Sequence, residues 1–210
     1  MSAGYLLYGQ KGAGSVAIEA ALVIAGAPYD RHDFAHADLA GAGFNPLAQV
    51  PALRLPSGEV MTESAAILAW LAEAHPDARL APPPGDPARP AFLRWMAFVS
   101  SAIYAHYWAL DFPVRLTGDA AAQGEIVKAL EARIAQCWGI MEAGIEPGDY
   151  LLGDRLSVLD LYVTVVSRWT PRKALHETIA PKIGAVARRV EADPRLADLW
   201  ADRFSLKTGS

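Results

Sequence analysis

The run from Leu80 to Pro90, LAPPPGDPARP, limits what this 210-residue chain can become more than any other segment. Each proline fixes its own φ, lacks an N–H and pushes the residue before it toward extended backbone, so no regular helix crosses the run. The pattern differs on its two sides. Before it, short β-like runs alternate with helical ones; after it, only helical periodicity is seen. The expected division is therefore an α/β region over 1–79, a linker over 80–89 and an all-helical region over 90–210.

The hydrophobic fraction of 52% against 20% charged residues supplies a packed core. A net charge of -4 gives no basic footprint for a phosphate backbone, so nucleic acid is not an expected partner. The longest stretch free of Asp, Glu, Lys and Arg, Trp95 to Leu110, falls short of the ~20 residues that cross hydrocarbon, so no membrane association is expected. No basic segment precedes an apolar run near Met1, and Cys137 has no second cysteine to pair with; both point to the cytoplasm.

In the first region, Tyr5 to Tyr8 reads as a strand, Ser15 to Ala25 as a mostly buried helix and Tyr29 to Phe34 as a second strand. Val50 to Leu55, the turn Pro56-Ser57-Gly58 and Glu59 to Met61 read as a hairpin, followed by a helix over Glu63 to Ala74. The order is β-α-β and then β-β-α. In the second region, Phe92 to Ile103 and Ile126 to Met141 carry apolar residues three and four apart, which predicts core helices with Cys137 on a packed face. Ser157-x-x-Asp160 has the form of a capping box opening a buried helix. Further helices are expected over Thr178 to Ala192 and Pro194 to Arg203.

The turn Gly9 to Ser15 lies between a strand and a helix, a place where free N–H groups favour an anion. Gly12, Gly14 and Ala17 also satisfy G-x-G-x-x-A, with Asp33 about 20 residues further on, as a dinucleotide-dependent oxidoreductase would require. That remote reading needs further parallel βαβ units, whereas the chain turns into a hairpin. A P-loop is excluded, because Lys11 precedes the last glycine. His32 and His36, with Asp33 and Asp38, have an i, i+4 spacing that suits a metal, but no third histidine or cysteine is placed to complete a site, so no metal is expected.

The run Asn45 to Leu53 and the run Gly58 to Leu68, with Gln49-Val50-Pro51 and Glu63-Ser64 at their centres, resemble the glutathione-binding core of the glutathione S-transferase family. The resemblance extends over essentially the whole chain. It implies a thioredoxin-like first domain, an all-helical second domain and glutathione as co-substrate. A cis Pro51 would turn the Val50 N–H and C=O outward, to pair with the cysteinyl backbone of glutathione like an added strand. Gln49 would bond the peptide from the side. The Ser64 hydroxyl and helix N-terminus suit the γ-glutamyl carboxylate, and the Glu63 carboxylate suits its ammonium.

At the sulfur-activating position the chain departs from the family pattern. Against the bacterial G-A-C-S it reads Gly12-Ala13-Gly14-Ser15, with glycine in the cysteine's place. Chemistry through an enzyme mixed disulfide is thus disfavoured. Ser15, near the start of the first helix, is the candidate catalytic residue, donating to the glutathione sulfur; an ordinary N-cap is the structural alternative, and Tyr8 is a second candidate donor. By the same resemblance Tyr104 and Trp169 line the pocket of a small hydrophobic electrophile, and the chain is a homodimer. The function expected is conjugation of glutathione to that electrophile. A non-catalytic glutathione-binding module and a glutathione-dependent peroxidase are the alternatives.

Overall fold

The computed structural model describes residues 4–169 and 174–204. The first three residues of the chain start and 205–210 of the expected helical region lie outside this range.

The first region runs β1 (Tyr5–Gly9), α1 (Ser15–Ala25), β2 (Tyr29–Asp33), a 3-10 turn (His36–Gly41), β3 (Ala52–Arg54), β4 (Val60–Met61) and α2 (Ser64–Ala74). The sheet order is β2-β1-β3-β4. β1 pairs parallel to β2 and antiparallel to β3, with Tyr8 opposite both His32 and Ala52. This is a thioredoxin-like mixed sheet. β1 has the alternation of a half-covered strand: Tyr5, Leu7 and Gly9 are buried, Leu6 and Tyr8 half-buried. β2, with Asp30, Arg31, His32 and Asp33, is the charged and exposed edge that discourages pairing with another chain. The hairpin turn closes through Gly58 N–H to the Leu55 carbonyl at 2.8 Å, and Gly58 supplies the φ of +92° it needs.

The helical region comprises α3 (Arg89–Phe98), a π-helical segment (Val99–Tyr104), α4 (Ala105–Asp111), α5 (Ala120–Ala143), α6 (Val158–Ser167), α7 (Pro181–Glu191) and α8 (Ala197–Arg203). The helix expected around Phe92 to Ile103 therefore continues to Asp111, with a widened turn in its middle. The segment expected as helix from Thr178 starts its α-helix only at Pro181, a residue preorganised for the first helical position. Similarly, Pro194–Leu196 is a 3-10 turn ahead of α8.

α6 is buried along its whole length and is the axis of the core. The Ser157–Asp160 capping box opens it: Asp160 Oδ2 accepts the Ser157 N–H at 2.7 Å and the Ser157 hydroxyl at 2.6 Å. Asp160 Oδ1 accepts the Leu151 N–H at 2.7 Å, pinning the preceding loop. Burial pushes the Asp160 carboxyl up to about 6, against the pull of these donors. The proline run is anchored at the same place, with Val158 N–H donating to the Leu80 carbonyl at 2.8 Å. α1 packs between the sheet and α6, which is why Val16, Ala17, Ile18, Ala20, Ala21 and Leu22 are all inaccessible.

Asp33 does not face a ribose. Arg203 of α8 grips it with two hydrogen bonds of 2.5 and 2.7 Å, while Arg203 Nε lies 2.8 Å from Glu19 Oε2 on α1. Arg31 adds a 2.7 Å bond to Glu19. With one parallel strand pair in its sheet, the first region also lacks the repeated βαβ units of a dinucleotide fold. No helix among the described residues is long and apolar enough to cross a membrane.

Candidate functional site

The first turn brings a strip of bare backbone to the junction of the two regions. Gly12 adopts φ +72°, Ala13 N–H returns to the Gln10 carbonyl at 3.2 Å, and Gly14 is the N-cap of α1. Ser15 is fully buried, and its hydroxyl both accepts the Gln10 N–H and donates to the Gln10 carbonyl, each at 3.1 Å. It is packed against Gly9, where an added Cβ would come within 2.8 Å of Ser15 Oγ. Ser15 is the first residue of α1 and not its N-cap, which corrects that alternative, and its hydroxyl is bonded in both directions to the turn. Tyr8 is stacked on Phe44, with ring centroids 4.5 Å apart and planes 4° from parallel.

Two aromatic residues of the helical region lie over this turn. Trp169 Nε1 donates to the Gly12 carbonyl at 2.7 Å. Tyr104, at the end of the π-helical segment, meets Trp169 edge-on at 4.8 Å, and a Cβ built on Gly14 would lie 2.5 Å from the Tyr104 hydroxyl oxygen. Residue 14 is glycine because the phenol occupies the space its side chain would need. Burial, then Tyr162 and Glu63, raise the Tyr104 phenol above its ordinary value, and the Gly14 N–H acts in the opposite direction.

The second strip of backbone is Gln49-Val50-Pro51. The Val50–Pro51 bond is cis, and Pro51 is buried beside β3. Among the described residues no hydrogen bond engages the Val50 N–H or C=O. The approach is fixed by Asn45, whose side-chain amide donates to the Gln49 carbonyl at 2.8 Å, and by Ala48 at φ +52°.

The third part of the site is the head of α2, which reaches Tyr162 through Ser64. Glu63 is its N-cap rather than its first residue, exposed and held at φ +66°, ψ +100°, a conformation that costs a non-glycine residue on the order of 1–3 kcal/mol. Ser64 is buried and its hydroxyl lies 2.8 Å from that of Tyr162 on α6. Burial raises the Tyr162 phenol, opposed by its bonds to Ser64 and Ser100, and Glu63 raises it further. Glu63 thus acts on both phenols, Tyr104 and Tyr162, whose rings are 6.1 Å apart.

Ser64, Glu63, Tyr104, Trp169 and the Gly12–Ser15 turn, all singled out by sequence, are therefore gathered at one junction. Tyr162 was missed. A tyrosine inside the run Leu161 to Val166, which is apolar apart from Thr164, is the only trace it leaves in the sequence, since a buried phenol needs a partner for its hydroxyl. His32 lies on β2 and stacks on Phe34, and His36 stacks on Phe112, so the two do not share a helix face. No cluster of three potential metal ligands occurs among the described residues. Cys137 is buried in the core of the helical region.

Known proteins are similar to this chain in sequence and fold. The model of the N-terminal domain of glutathione S-transferase matches residues 17–74. The uncharacterized GST-like protein YncG of Escherichia coli K12 is 32% identical over 199 residues, 92% of this chain and 95% of that one. Among solved structures, a glutathione transferase homologue from Sulfitobacter with bound glutathione aligns with a TM-score of 0.85 at 26% identity, over 96% of this chain and 99% of its own. The beta class glutathione S-transferase of Sphingomonas chungbukensis aligns at 0.80 and 26% identity, over 95% and 98%.

Proposed function

Because this chain belongs to the glutathione S-transferase family, we propose that it binds glutathione across the two backbone strips and conjugates it to a small hydrophobic electrophile. The observation that carries the reading is Glu63, an exposed acid held at φ +66° between a buried serine and two phenols. Strain of this kind persists where a ligand needs the geometry. The Sulfitobacter homologue was crystallised with glutathione bound.

In this reading the γ-glutamyl ammonium pairs with the Glu63 carboxylate, and the γ-glutamyl carboxylate meets the first N–H groups of α2. With Tyr162 donating to Ser64, the Ser64 proton is free for the same carboxylate. The unengaged N–H and C=O of Val50 pair with the cysteinyl backbone, and Gln49 supports the peptide beside Pro51. The thiol then falls at the Gly12–Ser15 turn. Tyr104 and Trp169 form the wall on the electrophile's side. The thiol loses its proton to solvent, the sulfur forms a bond to the electrophilic carbon, and the displaced group leaves with its electron pair. The chain acts as a homodimer in the cytoplasm.

Retention on immobilised glutathione, with release by free glutathione, tests the binding. Turnover of an aromatic halide at a rate above solution tests the transfer. Failure to bind would end the reading. Binding without turnover would leave a glutathione-binding module, and turnover of a hydroperoxide alone would leave a peroxidase.

A further inference from the structure

From Gly12 to Ser15, where α1 begins, the first turn has no free side chain to offer a thiol. Gly12, Ala13 and Gly14 carry no hydrogen-bonding group, and the Ser15 hydroxyl is buried and occupied by Gln10 on both sides. The Tyr8 ring is stacked against Phe44. Yet the space beside Gly14 is filled, with the Tyr104 hydroxyl oxygen 2.5 Å, Cε2 2.7 Å and Cζ 3.0 Å from where a Cβ of residue 14 would stand. A hydroxyl therefore sits at the first turn after all, delivered from the helical region.

We propose that the Tyr104 phenol is the catalytic residue that donates a hydrogen bond to the glutathione sulfur, replacing a side chain on the first turn. This deepens the reading of the site as a glutathione transferase centre and rests on it. Three features of the structure support the assignment. The ring is held on one edge by Trp169, itself tied to the Gly12 carbonyl, so the phenol and the turn keep a fixed spacing. No side-chain group among the described residues accepts the Tyr104 proton, which leaves it available for a ligand. Burial and the neighbouring Tyr162 and Glu63 keep the phenol protonated well beyond neutral pH, so it donates to a thiolate and does not compete as a base.

The step is a donation only. The thiol proton goes to solvent, Tyr104 keeps its own, and the thiolate displaces halide from an aromatic halide, forming the C–S bond as the C–halogen pair departs. The glycine at 14 and the tyrosine at 104 form one device, since a side chain on residue 14 would evict the phenol.

The test is the ultraviolet thiolate absorbance of bound glutathione across pH, in the whole chain and in Tyr104→Phe, which removes a single oxygen and keeps the ring. Glutathione affinity should stay within about threefold, because the γ-glutamyl and backbone contacts are untouched, while the thiol pKa rises by about one unit and turnover of the aromatic halide near neutral pH falls about tenfold. Gly14→Ala should produce the same two changes by displacing the phenol. If Tyr104→Phe binds glutathione with the wild-type thiol pKa, Tyr104 is only a wall and the inference is overturned while the transferase reading stands. If the unaltered protein does not bind glutathione, the reading and the inference fall together.

Discussion

The buried hydroxyls of Ser64 and Tyr162 lie 2.8 Å apart, joining the first turn of α2 to the core helix α6. One bond thus links the head of α2 in the sheet region to the axis of the helical region. Tyr162 in turn packs beside Tyr104, so the two ends of the proposed ligand, γ-glutamyl group and sulfur, are referred to the same helix pair.

Tyr162→Phe tests that link. It leaves the Ser64 hydroxyl buried without its partner, and loss of one side of a buried hydrogen bond costs about 1–3 kcal/mol. The expected result is a lower urea midpoint with an unchanged m value, read by circular dichroism. Stability equal to wild type would show that the bond is replaceable.

Ser15→Ala is expected to act on the fold. The hydroxyl is fully buried and closes the turn through two bonds to the Gln10 backbone, so its removal should lower unfolding free energy by about 1–3 kcal/mol. A Ser15→Ala protein with wild-type stability and a raised pKa of bound glutathione would return the sulfur to Ser15.

Much of this architecture is legible in the sequence because local physics and global fold agree. The proline run, the Pro56-Ser57-Gly58 turn and the Ser157–Asp160 box each impose one backbone outcome, and each appears in the structure where the residues demand it. The site is legible to a lesser degree. Gln49 to Pro51 and Glu63-Ser64 stand out as a pair of motifs, but a serine beside a glycine turn does not disclose whether its hydroxyl faces a ligand or the backbone behind it. That depends on Gly9 and Gln10 closing around Ser15. Gly14 looks like a deletion of chemistry from sequence alone. Its meaning rests on Tyr104, 90 positions further on in the numbering, and no local pattern encodes that approach. Likewise the ion cluster of Glu19, Asp33 and Arg203 joins three elements whose charges look solvated in the sequence.

That cluster predicts a response to mutation and acid. Arg203 and Glu19 are both fully buried, so Arg203→Ala should leave Glu19 Oε2 without its cation, with only Arg31 and Tyr29 bonded to Oε1, and cost about 3–5 kcal/mol. Hydrogen bonding to Arg203 holds the Asp33 carboxyl below its ordinary value, offset in part by burial. A carboxyl depressed in the folded state stabilises the fold above its unfolded pKa, and that contribution is lost as pH falls through the depressed value. Unfolding free energy in the wild type should therefore drop with a steeper slope below about pH 4 than in Asp33→Asn. Parallel slopes in urea titrations across that range would show that Asp33 contributes nothing to acid stability.

Glu63 separates stability from function. Its φ of +66° is one that glycine adopts without steric cost, so Glu63→Gly should relieve strain of about 1–3 kcal/mol, offset by about 0.5–1 kcal/mol of added chain entropy in the unfolded state. The net expectation is a fold as stable as wild type or slightly more so. Glutathione affinity should move the other way. Removing the carboxylate that faces the γ-glutamyl ammonium costs about 1.5–3 kcal/mol of a charge-assisted bond, roughly tenfold or more in Kd. Glu63→Gln keeps the backbone strain and removes only the charge, so it should share the affinity loss without the gain in stability. Calorimetric titration of both variants with glutathione, beside their urea midpoints, reads the two effects separately. An affinity loss in Glu63→Gly that tracks a matching loss of stability would mean that Glu63 merely holds α2 in place, and the ammonium would need another partner.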